Sequence, residues 1–305
     1  TLTILLFLLT IAQIFIAVVI TQWSAALFDA VDKHSMNHLL SQITTMIIIL
    51  VVNVLITVAH LHVKRLLQVG WREWLTEYVL SRWMNHGSHY LVTHIQGEHD
   101  NPDGRIAEDV RVATESAIDM AHAIVYNILM LISFVVILWS LSGVIILDLW
   151  LIEIPIYGHL VWLALIYAMA ASTLGWIIGK PLTKAANARQ TAEANFRFSL
   201  VNARENSQAI ALVHGEPSER QHFHRSFGGI IDVWHHQTQA LARIMTFTSA
   251  YSILSMAFPL LVAAPRYIGG SITLGALIQS AQSFQYTIAA LSWPVDNTAK
   301  IAEWR

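Results

Sequence analysis

The chain has no cysteine, which excludes disulfide frameworks, thiolate metal sites and cysteine nucleophiles. It is also poor in charge. Asp, Glu, Lys and Arg make only 12% of its 305 residues, against about a quarter in an ordinary soluble domain. Hydrophobic residues make 55% and the mean hydropathy is +0.52, so surface that a soluble protein would charge is expected to face lipid. A formal net charge of -2 leaves no basic footprint for nucleic acid. There is no G-x-x-x-x-G-K-[ST] loop either: Gly179-Lys180-Pro181 lacks both the preceding glycines and the hydroxyl that holds phosphate and magnesium. The chain starts at Thr1, with no basic n-region or small-residue cleavage site, and its first run reads as a trimmed first span rather than a signal peptide.

What is present is a series of apolar runs long enough to cross a hydrocarbon core of roughly 30 Å. Hydropathy predicts six spans, at about 2–27, 43–62, 122–140, 159–179, 244–263 and 274–293. Between spans two and three, and between four and five, the helical period continues into charged sequence without folding into a globular pattern, giving extensions of about 63–121 and 180–243. Residues 87–105 read as a loop with a short helix, and residues 140–158 as a loop holding Asp148, Glu153 and Pro155. Gly215-Glu216-Pro217-Ser218 reads as a turn before a helix starting near Glu219, with a brief break at Gly228-Gly229. Residues 264–270 read as a tight reversal.

Sidedness follows from the positive charges. Sixteen of the eighteen Lys and Arg residues fall on the side of the long extensions, and only Lys33 and Arg266 on the other. That distribution predicts cytosolic extensions and cytosolic termini.

Two clusters lie in the extensions. In the first, Asn101-Pro102-Asp103-Gly104-Arg105-Ile106, Asp103 can cap a helix starting near Arg105, after which Glu108, Arg111 and Glu115 share one solvated face. The second runs from Glu193 through Arg197, Glu205 and Asn206 to His214, Gly215, Glu216 and Arg220, with a small-residue face of Ala203, Ser207 and Ala211. Each cluster also reads as an ordinary solvated helix.

The Asn-Pro-Asp-x-Arg-Ile-x-Glu-Asp string resembles a signature in the transmembrane domains of the peroxisomal fatty-acyl ABC transporters. Their bacterial relatives include the YddA-like proteins and the mycobacterial importer of vitamin B12, bleomycin and antimicrobial peptides. The stretch from Glu193 to Glu216 is similar to that family's EAA-like segment, and Ile272 to Gly275, Leu291 to Trp293 and Ile301 to Arg305 are similar to parts of its sixth helix. The resemblance implies an all-α, exporter-type ABC transmembrane domain: a homodimer with six long spanning helices per subunit and cytosolic extensions. It places ATPase-docking loops at Gly97 to Arg105, continuing to Glu108, and around His214 to Arg220. ATP and magnesium are then expected on an ATPase domain after Arg305, fused or separate, with no catalytic residue and no metal in this chain. A related proton-driven peptide-uptake family lacks the ATPase.

Polar residues at bilayer depth are candidates to line a transport cavity. They are Asn53, Asn127 and the glutamines Gln279, Gln282 and Gln285, which together cover an arc of roughly 120° on their helix; interhelical hydrogen bonding is the alternative. Asp119 and Asp296 lie near the inner ends of spans. Asp29, Asp32, Asp148 and Glu153 are expected at the outer mouth, as a cation-attracting cluster or as plain loop charge. The fifteen histidines are too scattered for a dedicated metal site, although His60 or His122 could serve proton coupling. The reading is ATP-driven movement, in the uptake direction, of bulky hydrophilic compounds such as corrinoids or peptides across a bacterial inner membrane. Its alternatives are proton-driven peptide uptake and a non-transporting membrane scaffold.

Overall fold

The computed structural model describes residues 1–92, 102–149 and 152–297. Asn101, Gly97 and the Ile301 to Arg305 end lie outside the described residues. Nine helices and one hairpin are seen among those described. They are α1 (Leu2–Asp32), α2 (Met36–Met84), α3 (Ser88–Val92), α4 (Pro102–Gly104), α5 (Val110–Ser142), α6 (His159–Glu205), α7 (Ser207–Leu212), α8 (Glu216–Ile268) and α9 (Leu274–Asp296). Strands β1 (Val144–Leu149) and β2 (Ile152–Tyr157) form an antiparallel pair with Val144 opposite Tyr157 and Leu149 opposite Ile152. The loop expected over 140–158 is therefore a hairpin. Its β-branched residues, Val144, Ile145, Ile146, Ile152, Ile154 and Ile156, favour the pleat, and Pro155 sits where a two-stranded edge can tolerate a missing donor.

Five described helical segments are long and apolar enough to cross a membrane: Leu2–Asp32, Met36–Tyr90, Arg105–Ser142, His159–Glu205 and Glu216–Ile268. The predicted sixth span is α9, 23 residues and so about 34 Å long. Its glutamines and serines keep it out of that apolar class. It can be less apolar because it packs against both α1 and α5, and Leu277, Ser280, Ala281, Ser283, Phe284, Thr287 and Ile288 are buried there. By contrast α2 buries only His60, Val63 and Gln68 along 49 residues and leaves its other apolar side chains on the surface.

Several predicted boundaries move. The helix from Glu216 runs unbroken through Gly228 and Gly229, whose flanking residues keep the hydrogen-bonded ladder intact. It also continues through Pro265 to Ile268, so the reversal begins at Gly269 rather than Ala264. The amide of Ser271 donates to the Arg266 carbonyl (2.9 Å) and that of Gly270 to the Tyr267 carbonyl (2.9 Å), closing the helix on a left-handed Gly270. Pro181 is likewise carried inside α6. The chain is already helical at Pro102, ahead of the predicted start, so Asp103 occupies the first turn instead of capping. Proline suits a first turn, where no intrahelical donor is needed. A wider π-type turn, Arg105–Asp109, then leads into α5.

The described residues form two compact units. The first comprises Thr1–Ala168 with Phe258–Arg305, and the second is Met169–Ala257. The first unit has an aromatic centre, with Phe134 stacked on Tyr286 (4.3 Å between centroids) and Phe284 against Phe258 and Tyr167 (5.8 and 6.0 Å). At one end of it, helix termini are tied by side chains from other helices. Arg266 Nη1 donates to the carbonyls of Leu141 (2.7 Å) and Ser142, the last carbonyls of α5. Gly143 follows with φ +65°, and a Cβ there would fall 2.6 Å from Arg266 Nη2. Asp29 accepts from the Gly275 amide (2.7 Å) and the Thr273 hydroxyl (3.2 Å) at the start of α9, and Tyr267 donates to Asp32 (3.0 Å).

In the second unit, the C-terminal part of α6 runs antiparallel to α8. Phe247 lies over Gly175 and Ile244 over Gly179, Arg189 reaches Gln237 (3.3 Å) and lies over Trp234 (4.1 Å), and Phe196 meets Phe227 and Phe223 (5.7 and 6.4 Å).

α1 and α9 approach closely at Gly275, where a Cβ would sit 2.1 Å from the Ala25 carbonyl oxygen. That atom is backbone and cannot swing aside. Gly275→Ala is expected to push α1 from α9 and to lower thermal stability in detergent by about 1–3 kcal/mol. Gly229→Ala, where a Cβ meets open space, should leave the melting temperature unchanged or slightly higher.

Candidate functional site

The first unit holds a polar groove between its helices. One hollow of about 440 Å³ is walled by α1 (Gln13, Ala17, Ile20), α2 (Asn53, Thr57, His60), α5 (His122, Tyr126) and α9 (Tyr286). A second, of about 430 Å³, is walled by Ile20, Gln282, Gln285, Tyr286 and Ala289. The two share Ile20 and Tyr286, so they adjoin along α1 and α9. Helical period explains the lining. Gln13, Ala17 and Ile20 are spaced i, i+4, i+7, as are Asn53, Thr57 and His60, so each trio forms one stripe. On α9, Gln282, Gln285, Tyr286 and Ala289 fall within two turns on one side, and Ala17 and Ala289 leave the space open.

No Asp, Glu, Lys or Arg is found among the described residues lining either hollow. Its hydrogen-bonding groups are amides, a hydroxyl, two phenols and two imidazoles. Gln282 donates to the Ser24 hydroxyl of α1 (3.0 Å), while its Oε1 is buried with no hydrogen-bond partner among the described residues. Gln285 is exposed to the hollow.

A polar ladder joins α2 to α5 from the groove wall outward. His60 and His122 meet Nε2 to Nε2 at 2.9 Å, one ring donating and the other accepting, with centroids 4.6 Å apart. One turn on, Lys64 Nζ lies 2.8 Å from Asp119 Oδ1. A further turn on, Gln68 donates to Asp119 (2.8 Å) and to the Glu115 carbonyl (3.2 Å), and Arg65 donates to Gln68 Oε1 (3.1 Å). Positions 60, 64 and 68 of α2 thus face 122, 119 and 115 of α5.

The predicted cavity residues separate on this geometry. Asn53, Gln282 and Gln285 line the groove. Asn127 instead bonds back to the Ala123 carbonyl of its own helix (2.7 Å), and it and Gln279 are not among the lining residues. Asp119 lies a turn beyond the groove in its ion pair. The side chains of Asp148, Glu153 and Asp296 lie outside what the structure describes. Asp29 and Asp32 are held in hydrogen bonds as helix-end partners. The sequence reading missed Gln13, Thr57, Tyr126 and Tyr286. For Thr57 the i, i+4, i+7 stripe from Asn53 to His60 was the available signal. The two tyrosines carried none, since an aromatic in an apolar run reads as core.

In the first extension cluster, Arg111 pairs with Glu108 (3.7 Å) and Glu115 (3.5 Å) on the face expected. In the second, Arg189 pairs with Glu193 (2.7 Å), Arg197 and Glu205 are exposed, and Asn206 bonds to Asn202 (2.9 Å) where α6 gives way to α7. Ala203, Ser207 and Ala211 face a hollow of about 290 Å³ together with Ile210, Glu216, Glu219, Arg220 and Phe223. The turn itself is His214 and Gly215, with His214 at φ +53° and the Gly215 amide donating to the Ile210 carbonyl (2.9 Å).

Residues 1–268 match the family described as ABC transporter transmembrane region 2. The chain is 30% identical over 291 residues to the inner membrane ABC transporter ATP-binding protein YddA of Escherichia coli, covering 94% of this chain and 52% of that protein. An uncharacterized ABC transporter ATP-binding protein of Haemophilus influenzae is 26% identical over 90% of this chain and 46% of its own length. The chloroplastic ABC transporter D family member 2 of Arabidopsis thaliana is 30% identical over 76% of this chain and 30% of its own length. The chain spans about half the length, or less, of these curated relatives.

The Lys64–Asp119 pair, half open on the aspartate side, is expected to show coupling of about 0.5–1 kcal/mol in a double-mutant cycle of unfolding in detergent. Lys64→Met with Asp119→Leu should cost less than the two single changes added together. Strict additivity would mean that Gln68 and the His60–His122 contact hold α2 to α5 without the ion pair.

Proposed function

The chain belongs to the ABC transporter transmembrane region 2 family, and from that premise we propose that it is the membrane-spanning part of a homodimeric, ATP-driven transporter taking up bulky hydrophilic compounds. It is a multi-pass membrane component of an ABC transporter system. Peptides and corrinoids are the substrate classes proposed, and the bacterial inner membrane the location, with both termini cytosolic.

One observation carries the reading. A chain whose helices leave most of their apolar side chains on the surface keeps a hydrogen-bonding, uncharged groove between α1, α2, α5 and α9. Polar side chains at bilayer depth are costly unless they face water or one another. A scaffold would have them paired, whereas here Gln285, Asn53 and Thr57 border open volume. A neutral lining suits large polar cargo: it offers donors and acceptors without binding tightly enough to retain one charge type.

Movement requires two states of the groove that bind cargo differently. In the proposal, ATP binding on ATPase domains, fused or separate, selects between them, and hydrolysis returns the first. The force is received at Asn101, Pro102, Asp103, Arg105 and Glu108, and at His214, Gly215, Glu216 and Arg220. Both stretches begin helices directly: Pro102 opens the segment that becomes α5, which carries His122 and Tyr126 to the groove wall about five and a half and six and a half turns further on. Glu193, Arg197, Glu205 and Asn206 form the segment that steadies the second of them through the α6–α7 junction. A proton-driven version is favoured by one observation, the His60–His122 contact at the groove wall.

The test is ATP-dependent uptake into proteoliposomes by the full-length protein. Replacing Asp103 and Arg105 together by alanine is expected to reduce cargo-stimulated ATP turnover at least severalfold while leaving the melting temperature within a degree or two. Turnover at the wild-type rate would remove the docking role. Uptake that persists without ATP and collapses with a protonophore would replace ATP by the proton gradient as the energy source.

A further inference from the structure

We propose that the His60–His122 pair is a carboxylate-binding subsite of the groove, one that takes up a single proton together with an anionic group of the cargo; the proposal rests on the reading of the groove as a transport site.

The chemistry follows from the 2.9 Å contact between the two Nε2 atoms. Two neutral imidazoles satisfy it with one N–H donor and one lone pair, so each ring is fixed in a different tautomer. One additional proton, taken from water, goes to the Nδ1 of the donating ring. The Nε2–H···Nε2 bond survives, the pair carries one positive charge, and both Nδ1 atoms are now donors. A second proton would set two Nε2–H groups against each other and break the contact. The pair therefore has one useful protonation step, and its product is a cation whose two Nδ1–H donors point apart, so that a carboxylate takes a charge-assisted hydrogen bond from one of them.

The surroundings determine when that step occurs. On α2 the nearest charge is Lys64, one turn from His60. On α5 it is Asp119, which Lys64 and Gln68 already engage, and beyond it Glu115, which Arg111 engages. Tyr126 on α5 and Tyr286 on α9 face the pair from the groove, and α1 presents Gln13. The groove thus supplies no free carboxylate of its own among the described residues, and a proton placed on the pair is balanced only when an anion arrives. Proton and carboxylate then bind together, and by linkage each strengthens the other. The neutral amides and phenols nearby, Gln13, Asn53 and Tyr286 among them, are placed to hold the uncharged body of the same molecule.

The experiment uses the full-length protein in lipid nanodiscs and two probes, N-acetyl-tetraalanine as its free acid and as its C-terminal amide. Calorimetric titration at pH 6 and pH 8, in buffers of differing ionisation enthalpy, reads both affinity and protons taken up. The free acid is expected to bind more tightly at the lower pH, approaching about tenfold per pH unit, with one proton absorbed per peptide; the amide should show neither effect. His60→Gln and His122→Gln should each abolish the pH dependence and the preference for the acid, so that acid and amide bind alike at both pH values. A purely structural clamp between α2 and α5 would instead weaken both probes alike, and that result overturns the subsite. Equal binding of acid and amide in the wild type overturns it while leaving the transport reading intact. Binding of neither probe sinks the peptide-uptake reading and the subsite with it.

Discussion

A backbone in lipid has no water to complete its hydrogen bonds, and this one constraint shapes the ends of the helices as much as their middles. Four carbonyls at the C-terminus and four amides at the N-terminus of every helix lack an internal partner. In the first unit two of these ends are met by side chains from distant parts of the chain. Arg266, near the end of α8, covers the last carbonyls of α5, where its positive charge also suits the negative end of the helix. Asp29, at the end of α1, accepts from the Gly275 amide in the first turn of α9, with the favourable opposite sign. Each contact closes a helix end and joins two helices in the same act. The placement of Arg266 is explained by the carbonyls it serves.

The same constraint governs the groove. Polar side chains there are arranged at helical period on three helices, so that one stripe from each faces the common volume and the rest of each helix remains apolar. Where the stripe on α2 continues past His60, it turns from neutral to charged, and each charge is matched across to α5: Lys64 by Asp119, and Asp119 again by Gln68. The boundary between the neutral and the charged part of this ladder falls at the His60–His122 contact. Hydrogen bonds between helices in membranes are individually modest, about 0.6 kcal/mol, so the ladder orients α2 against α5 more than it stabilises them.

Much of this was legible in the sequence because period and hydropathy are properties of single helices. Five of the apolar runs, the long charged continuations of α2, α6 and α8, and the Arg111 ion pairs follow from spacing alone. What was not legible depended on partners. The helix through Gly228-Gly229 and Pro265 survives because neighbouring turns hold it, whereas the residues themselves read as breakers. The hairpin over Val144 to Tyr157 was hidden by its position between two apolar runs, where β-branched residues look like the frayed end of a span. Asp29 read as a charge of the outer mouth and Asp119 as a candidate for the cavity until the helices that bond to them were in place. Gln282 and Gln285 carried the signal of a polar sector, and Tyr126 and Tyr286 carried none, because a phenol shows its polar end only when its surroundings are known.

α9 shows how these levels combine. Its glutamines and serines would be a poor surface for lipid, but α1 and α5 cover much of it, and Gly275 allows α1 to approach until backbone meets backbone. Close packing at that end leaves the polar residues further along to face the groove rather than the bilayer. α9, which falls short of the apolar class, places its polar groups in packing and groove: Ser280, Ser283 and Thr287 are buried, with Ser280 and Thr287 bonded to the carbonyls one turn back, Gln282 is tied to α1, and Gln285 with Tyr286 borders the groove. In the proposed transporter a lining of this kind would bind by hydrogen bonds that water can replace, which lets cargo leave as readily as it arrives. Among the described lining residues the proposal gives the histidine pair the charge that changes with occupancy, so a preference for charged over neutral cargo would originate there.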